Sequence, residues 1–161
     1  MTHRGAGPWP GCPLGRASQA ALLVAILSVA IPIRADLDPA KAEPNLEKRA
    51  MLALDNASQA LAKAREAYTK GDKAQVAALA NEIKESVELA ETSLRETGKN
   101  PRKSPKWFKR AENSTRDLLR RLDAFQHEMD VADRPMLDAV KAKVQQVHED
   151  LLLGVLEGKV K

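Results

Sequence analysis

Cysteine is almost missing from this chain of 161 residues, which carries a single one, Cys12. It precedes the first apolar run, so it is not placed as the lipid-bearing cysteine of an exported lipoprotein. Beyond it the chain has no thiol for a disulfide, a thiolate metal site, a cysteine nucleophile or a C-x-x-C-H haem attachment. Aromatic residues are scarce too: two Trp, one Tyr and two Phe. With no sustained alternation of apolar and polar residues, this excludes a β-rich core. Glycine never clusters into a phosphate-binding loop. Ser58, Ser86, Ser93 and Ser114 lie within helical patterns and lack the G-x-S-x-G turn that exposes a catalytic serine. Asn56-Ala57-Ser58 and Asn113-Ser114-Thr115 match the glycosylation sequon but also fall inside helical patterns.

The first 35 residues have a different composition from the rest. Met1 to Gln19 carries Arg4 and Arg16 and no acidic residue, and Ala20 to Ile33 is an apolar run. That run is shorter than the roughly 20 residues a membrane-spanning helix needs. A basic start, a short apolar stretch and a small-residue exit predict a signal peptide over 1–35, cleaved after Ala30 or after Ala35. A linker is expected over 36–44 and a helical domain over 45–158. Cleavage after Ala35 removes Arg4, Arg16 and Arg34. The 26 basic residues less these three leave 23 against 22 acidic, so the net charge falls from +4 to +1. The basic excess therefore belongs largely to the export segment, and no nucleic-acid partner is expected. No transmembrane segment remains after cleavage, and the expected location is periplasmic or secreted.

What the chain does have is a repeated seven-residue rhythm of apolar positions. It predicts four long helices, at about 45–70, 72–97, 105–131 and 135–157. The first shows Ala50, Leu54, Ala57, Leu61, Ala64 and Tyr68, with alanines that allow a neighbour to approach closely. The second shows Val76, Leu79, Ile83, Val87, Ala90 and Leu94. The third shows Phe108, Ala111, Thr115, Leu118, Leu122, Phe125 and Met129. The fourth shows Leu137, Val140, Val144, Val147, Leu151 and Gly154. Gly71 stops the first helix, and Asp72 with Gln75 forms a capping box for the second. Gly98 suits a left-handed C-terminal cap. Ser104 caps the third helix with Pro105 at its first position. Similar lengths, about 40 Å at 1.5 Å per residue, and short links predict an all-α, antiparallel, up-down-up-down four-helix bundle. Tyr68-Thr69-Lys70-Gly71-Asp72 resembles the turn of a tetratricopeptide repeat, but that family's period of about 34 residues is absent.

Charge is the strongest local anomaly. From Gly98 to Ala111 every charged residue is basic: Lys99, Arg102, Lys103, Lys106, Lys109 and Arg110, with Trp107 and Phe108 among them. Arg116, Arg120 and Arg121 continue the series. Such a segment suits an anionic partner. It also suits neutralisation by the acidic row on the preceding helix, Glu82, Glu85, Glu88, Glu91 and Glu96. Lysine and arginine near a helix N-terminus oppose the helix dipole, so local helix stability does not explain Lys106, Lys109 and Arg110. The apolar run from Leu151 to Leu156 covers more than one helix face. It is expected to be buried at the bundle end or to offer a homodimer or partner surface.

Two histidines, His127 and His148, lie beyond the signal segment, and neither belongs to an H-x-x-x-H or E-x-x-H pattern. Met51 near the start of the first helix and His148 near the end of the last could approach in an antiparallel pair. The plainer reading makes Met51 a packing residue that flanks its seam and His148 a solvated flank. In architecture and in these two residues the chain resembles the b562-type cytochromes, exported bundles whose haem is held by a Met of the first helix and a His of the last. That resemblance implies a haem carrier. The residues themselves call for no cofactor. The leading expectation is a non-enzymatic envelope interaction or structural protein with a protein or anionic envelope partner. The haem carrier and a periplasmic holding chaperone are the alternatives, although the L-T-x-x-Q repeat of small helical chaperones is not present.

Overall fold

A computed structural model describes residues 37–158. The proposed signal peptide and both cleavage positions lie outside the described residues. Within them the chain is all-helical: α1 (Asp38–Ala42), α2 (Leu46–Thr69), α3 (Lys73–Glu96), α4 (Pro105–Glu128), a 3₁₀ turn (Arg134–Leu137) and α5 (Asp138–Glu157). No strand occurs among the described residues. Four long helices, α2 to α5, pack against one another.

Local chemistry sets the ends of these helices. Asn45 caps α2, its Oδ1 accepting the Lys48 N–H at 3.0 Å. Gly71, at φ +77°, closes α2. There the Gly71 N–H donates to Tyr68 O and the Asp72 N–H to Ala67 O, the double bond of a Schellman motif. That spends the Asp72 N–H, so the expected capping box is only half made: Asp72 Oδ1 accepts the Gln75 N–H at 2.9 Å. Ser104 departs from expectation as well. Its side chain makes no capping bond to α4. Asn100 orders the approach instead, its Oδ1 accepting the N–H groups of Arg102 and Lys103. The helix α4 ends at Glu128, earlier than the pattern suggested, because Met129 is already extended at ψ 150°. The chain then tightens into the 3₁₀ turn around Pro135 before α5. The stretch expected as a linker holds α1, whose Ala40 is buried together with the preceding Leu37.

The apolar positions expected for the last three long helices are all buried, and so are those of α2 except Tyr68, which is half-buried. Fully enclosing a Leu, Ile or Phe side chain contributes roughly 1.5–3 kcal/mol, and this row of positions is the main source of stability. The helix α2 also buries Met51 on one flank of its seam and, on the other flank, a second row that the heptad reading omitted: Ala53, Asn56, Ala60 and Ala67. Asn56 Nδ2 donates to Ser86 Oγ and to Glu82 Oε1, each at 3.0 Å, which turns this row towards α3. The packed pairs are α2 with α3, α4 with α5, α3 with α5, and α2 with α4. Neither α2 with α5 nor α3 with α4 packs extensively.

Candidate functional site: the basic end of the bundle

The segment from Lys99 to Arg110 is an ordered corner. Gly98, at φ +63°, turns the chain out of α3. The Asn100 side chain and the Ser104 N–H bond to Asn100 O fix the turn, and Pro101 is buried. Pro105 then starts α4. Among the described residues Lys99 is the one cation of the group with an acidic partner, Glu47 at the start of α2, 2.6 Å from its Nζ. Arg102, Lys103, Lys106, Lys109 and Arg110 are exposed. Among the described residues none of these five has a carboxylate within 4.0 Å. Trp107 is half-buried against the core, with the Lys106 ammonium 5.2 Å from its ring centre. Phe108 is a core residue.

Neutralisation by the acidic row of α3 does not occur. That row does not lie along α4, because α3 and α4 are not an extensively packed pair. Glu91 is bound to Arg95 on its own helix and to Lys143 of α5, 3.1 Å away. Glu82 accepts from Asn56. Beyond Lys99, the cations of the basic segment are therefore without a carboxylate partner among the described residues.

An open groove of about 560 Å³ runs between α2 and α4 beside these cations. Asp55 and Ser58 line it from α2, and Lys106, Lys109, Arg110, Asn113, Ser114 and Asp117 from α4. Asp117 is engaged by Arg120 at 2.5 Å. The groove therefore presents three cations, two hydroxyls, an amide and the carboxylate of Asp55, a mainly cationic set that can hydrogen-bond an anion, and no hydrogen bond among the lining residues joins a carboxylate to a hydroxyl.

The end of α5 reaches the same corner. Gly158, at φ +79°, has Asn100 and Arg102 so close that a Cβ there would lie 3.2 Å from Asn100 Oδ1 and 3.3 Å from Arg102 Cβ. Of the terminal apolar run, Leu151 and Gly154 are buried and Val155 is half-buried. Leu152, Leu153 and Leu156 are 40%, 41% and 63% exposed. The expectation of a run buried on several faces is thus corrected. One face fills the core, and the other is bare.

Met51 and His148, the pair that the cytochrome resemblance implies, are carried by α2 and α5. Met51 is buried in α2. His148 lies on α5 and faces α4, its Nδ1 3.3 Å from Thr115 Oγ1 and 3.9 Å from Glu112 Oε1. The helices that carry Met51 and His148 do not pack extensively on each other. The Thr115 hydroxyl donates to Glu112 O at 2.9 Å, which leaves its oxygen able to accept from a protonated His148 Nδ1. Among the described residues no group of three or more His, Cys, Asp or Glu side chains could hold a metal ion.

Sequence reasoning passed over a polar knot at the opposite end. Asp133 Oδ1 accepts from Lys73 Nζ at 2.7 Å, and its Oδ2 from the Tyr68 hydroxyl at 3.2 Å. The Tyr68 oxygen accepts the Asp130 N–H at 2.9 Å. The Lys73 hydrogen bond holds the Asp133 carboxyl below its ordinary value of 3.8, against the opposing effect of burial and with help from Tyr68. The same bond raises Lys73 above 10.5. The lone Tyr and the Asp-Arg-Pro boundary were visible in the sequence, but nothing in their spacing joined them.

The chain matches no protein-family model, no curated protein and no solved structure. What the fold defines is a class, the all-α helical bundles. No helix among the described residues is long and apolar enough to cross a membrane.

Proposed function

We propose that this chain is an exported, non-enzymatic bundle of the cell envelope, periplasmic or secreted, that works by holding an anionic partner at its basic end. The observation that carries the reading is the set Arg102, Lys103, Lys106, Lys109 and Arg110, exposed on an ordered corner with no carboxylate partner among the described residues. Unpaired cations on a rigid frame bind anions with little ordering cost. The three at the start of α4 also oppose its dipole, so helix stability gives no reason for them. Export rests on the signal-like composition of 1–35. A binding role without catalysis is favoured by the groove's donors, which lack a paired nucleophile and base.

We further read the long helices as alternating up and down. The supports are side-chain pairs: Lys99 with Glu47 and Asn56 with Ser86 for α2 and α3, and Asp123 with Lys141 and Thr115 with His148 for α4 and α5. Arg65 with Glu128 sets α2 and α4 side by side in one direction. Two antiparallel hairpins laid together in this way put α2 and α5 on a diagonal.

The test is co-sedimentation of the chain beginning at Asp36 with an envelope fraction from its host. Binding at low salt and release at high salt is the expected result, because exposed charges are screened beyond a Debye length of about 10 Å at 0.1 M. The combined variant Arg102→Ser, Lys103→Ser, Lys106→Ser should stay in the supernatant. A wild-type chain that never sediments, or a variant that sediments as well as wild type, overturns the reading.

A further inference from the structure

We propose that the anionic partner is a lipid surface, and that Leu152, Leu153 and Leu156 enter it while the cations of the α4 corner meet the headgroups; this rests on the anionic-partner reading above. Asp123 faces Lys141, and Thr115 faces His148. Following that pairing along both helices brings Lys109 level with Val155, and Arg102 already lies against Gly158. The bare leucines and the unpaired cations therefore share one end of the α4–α5 side. At 100° per residue Leu152, Leu153 and Leu156 fall within an arc of about 100°, a single outward strip. The carboxylates on this part of α5 are Glu149, Asp150 and Glu157, against the five cations without partners.

Chemistry selects the occupant. An envelope polysaccharide would satisfy the cations but offers no apolar phase to the leucines. A second copy would cover the leucines but bring two cationic corners together. An anionic bilayer interface accepts both, with acyl chains beneath phosphates. Trp107 adds the amphipathic ring that favours this depth, half-buried and capped by the Lys106 ammonium. Since no described helix can span a bilayer, the bundle would lie on the surface by its end.

Removal of the signal segment leaves Trp107 as the only tryptophan, so its emission reports the corner directly. The experiment uses the chain beginning at Asp36, which includes the whole described core, with vesicles of phosphatidylcholine alone or mixed with phosphatidylglycerol. Flotation and Trp107 emission give the partition coefficient. Binding and a blue shift are expected only with phosphatidylglycerol. The variant Lys103→Ser, Lys106→Ser, Lys109→Ser should lower partitioning about a hundredfold, at about fivefold per cation. The variant Leu152→Ser, Leu153→Ser, Leu156→Ser should lower it at least about tenfold. These sites are exposed, and unchanged thermal melts confirm that both variants fold. Loss in the lysine variant with none in the leucine variant overturns the insertion of the leucines. Failure to bind vesicles while the envelope fraction still binds overturns the lipid proposal and points to an acidic protein or polysaccharide. Failure to bind either removes the anionic-partner reading too. A dimer by light scattering that the leucine variant dissociates, without vesicle binding, assigns the strip to a second copy.

Discussion

Two of the packed helix pairs in this bundle, α2 with α3 and α4 with α5, reach similar helix lengths by different means. Along α2 and α3 the backbones come close over most of their length. The facing residues are small, with Ala53, Asn56, Ala60 and Ala67 on α2 and Ser86 and Ala90 on α3. The turn between them is as short as a Schellman cap allows. Along α4 and α5 the approach is looser. Phe108, Leu118, Leu122 and Phe125 fill the space from α4 and valines from α5, and the connection needs a 3₁₀ turn. The lesson is that side-chain volume at the seam sets the distance between helices, and that a hairpin can be held either by backbone proximity or by bulk. The looser pair is also the one whose exposed cations and leucines have no cover among the described residues.

Emptying the bulky seam should cost most. Phe125 is buried, meets the edge of Tyr68 at 5.8 Å with 79° between the rings, and has Arg65 over its face at 5.8 Å. Phe125→Ala is expected to destabilise by about 3–5 kcal/mol, read by urea unfolding. A loss below about 1 kcal/mol would mean that α4 is not held by bulk.

Overfilling the small seam comes next. Ala60 is fully buried one turn beyond Asn56, on the face turned to α3. Ala60→Leu should cost about 1–3 kcal/mol, since a close-packed seam has no room for three more carbons. The same change at an exposed alanine such as Ala77 should be neutral or nearly so. A tolerated Ala60→Leu would erase the distinction between the two helix pairs.

The smallest expected effect is on the knot that ties the turn regions together, and it sharpens the comparison through pH. Asp133 is held below 3.8, so its contribution is present at neutral pH and is lost as the pH falls from that value through the lower folded-state one. Lys73 is raised, so its contribution holds below 10.5 and is lost as the pH rises through the higher folded-state value. Asp133→Asn should therefore lower Tm at neutral pH and flatten the acid limb of Tm against pH. A variant whose acid limb overlays the wild type would show that Asp133 does not link the two helix pairs.

Much of the fold was legible in the chain because a heptad pattern is a local property. Val76, Leu79, Ile83 and Val87 announce a buried stripe wherever α3 ends up. Gly71 and Gly98 announce stops because only glycine takes a positive φ without strain. Alanine hides its side of a helix, since its small side chain is as much at home exposed as buried. The second row of α2 was missed for that reason, and Asn56 with it. Its partners, Ser86 and Glu82, lie far away in sequence. The basic corner was legible as a run of residues. Whether it was neutralised was not, because that depended on which helix lay beside α4.

By itself, the sequence determined the number of long helices, their stop signals, their core faces and the composition of the basic corner. These follow from spacing and from residues close together in the chain. Only the tertiary structure decided that α4 lies against α2 and α5 rather than α3. It thereby turned Glu91 of the acidic row to Lys143 and left Leu152, Leu153 and Leu156 exposed, with five cations of the basic corner lacking a carboxylate partner among the described residues. Four equivalent apolar stripes can close a core in more than one order. The choice among these orders is made by side-chain volumes and by single long-range contacts such as Asn56 with Ser86 and Tyr68 with Asp133.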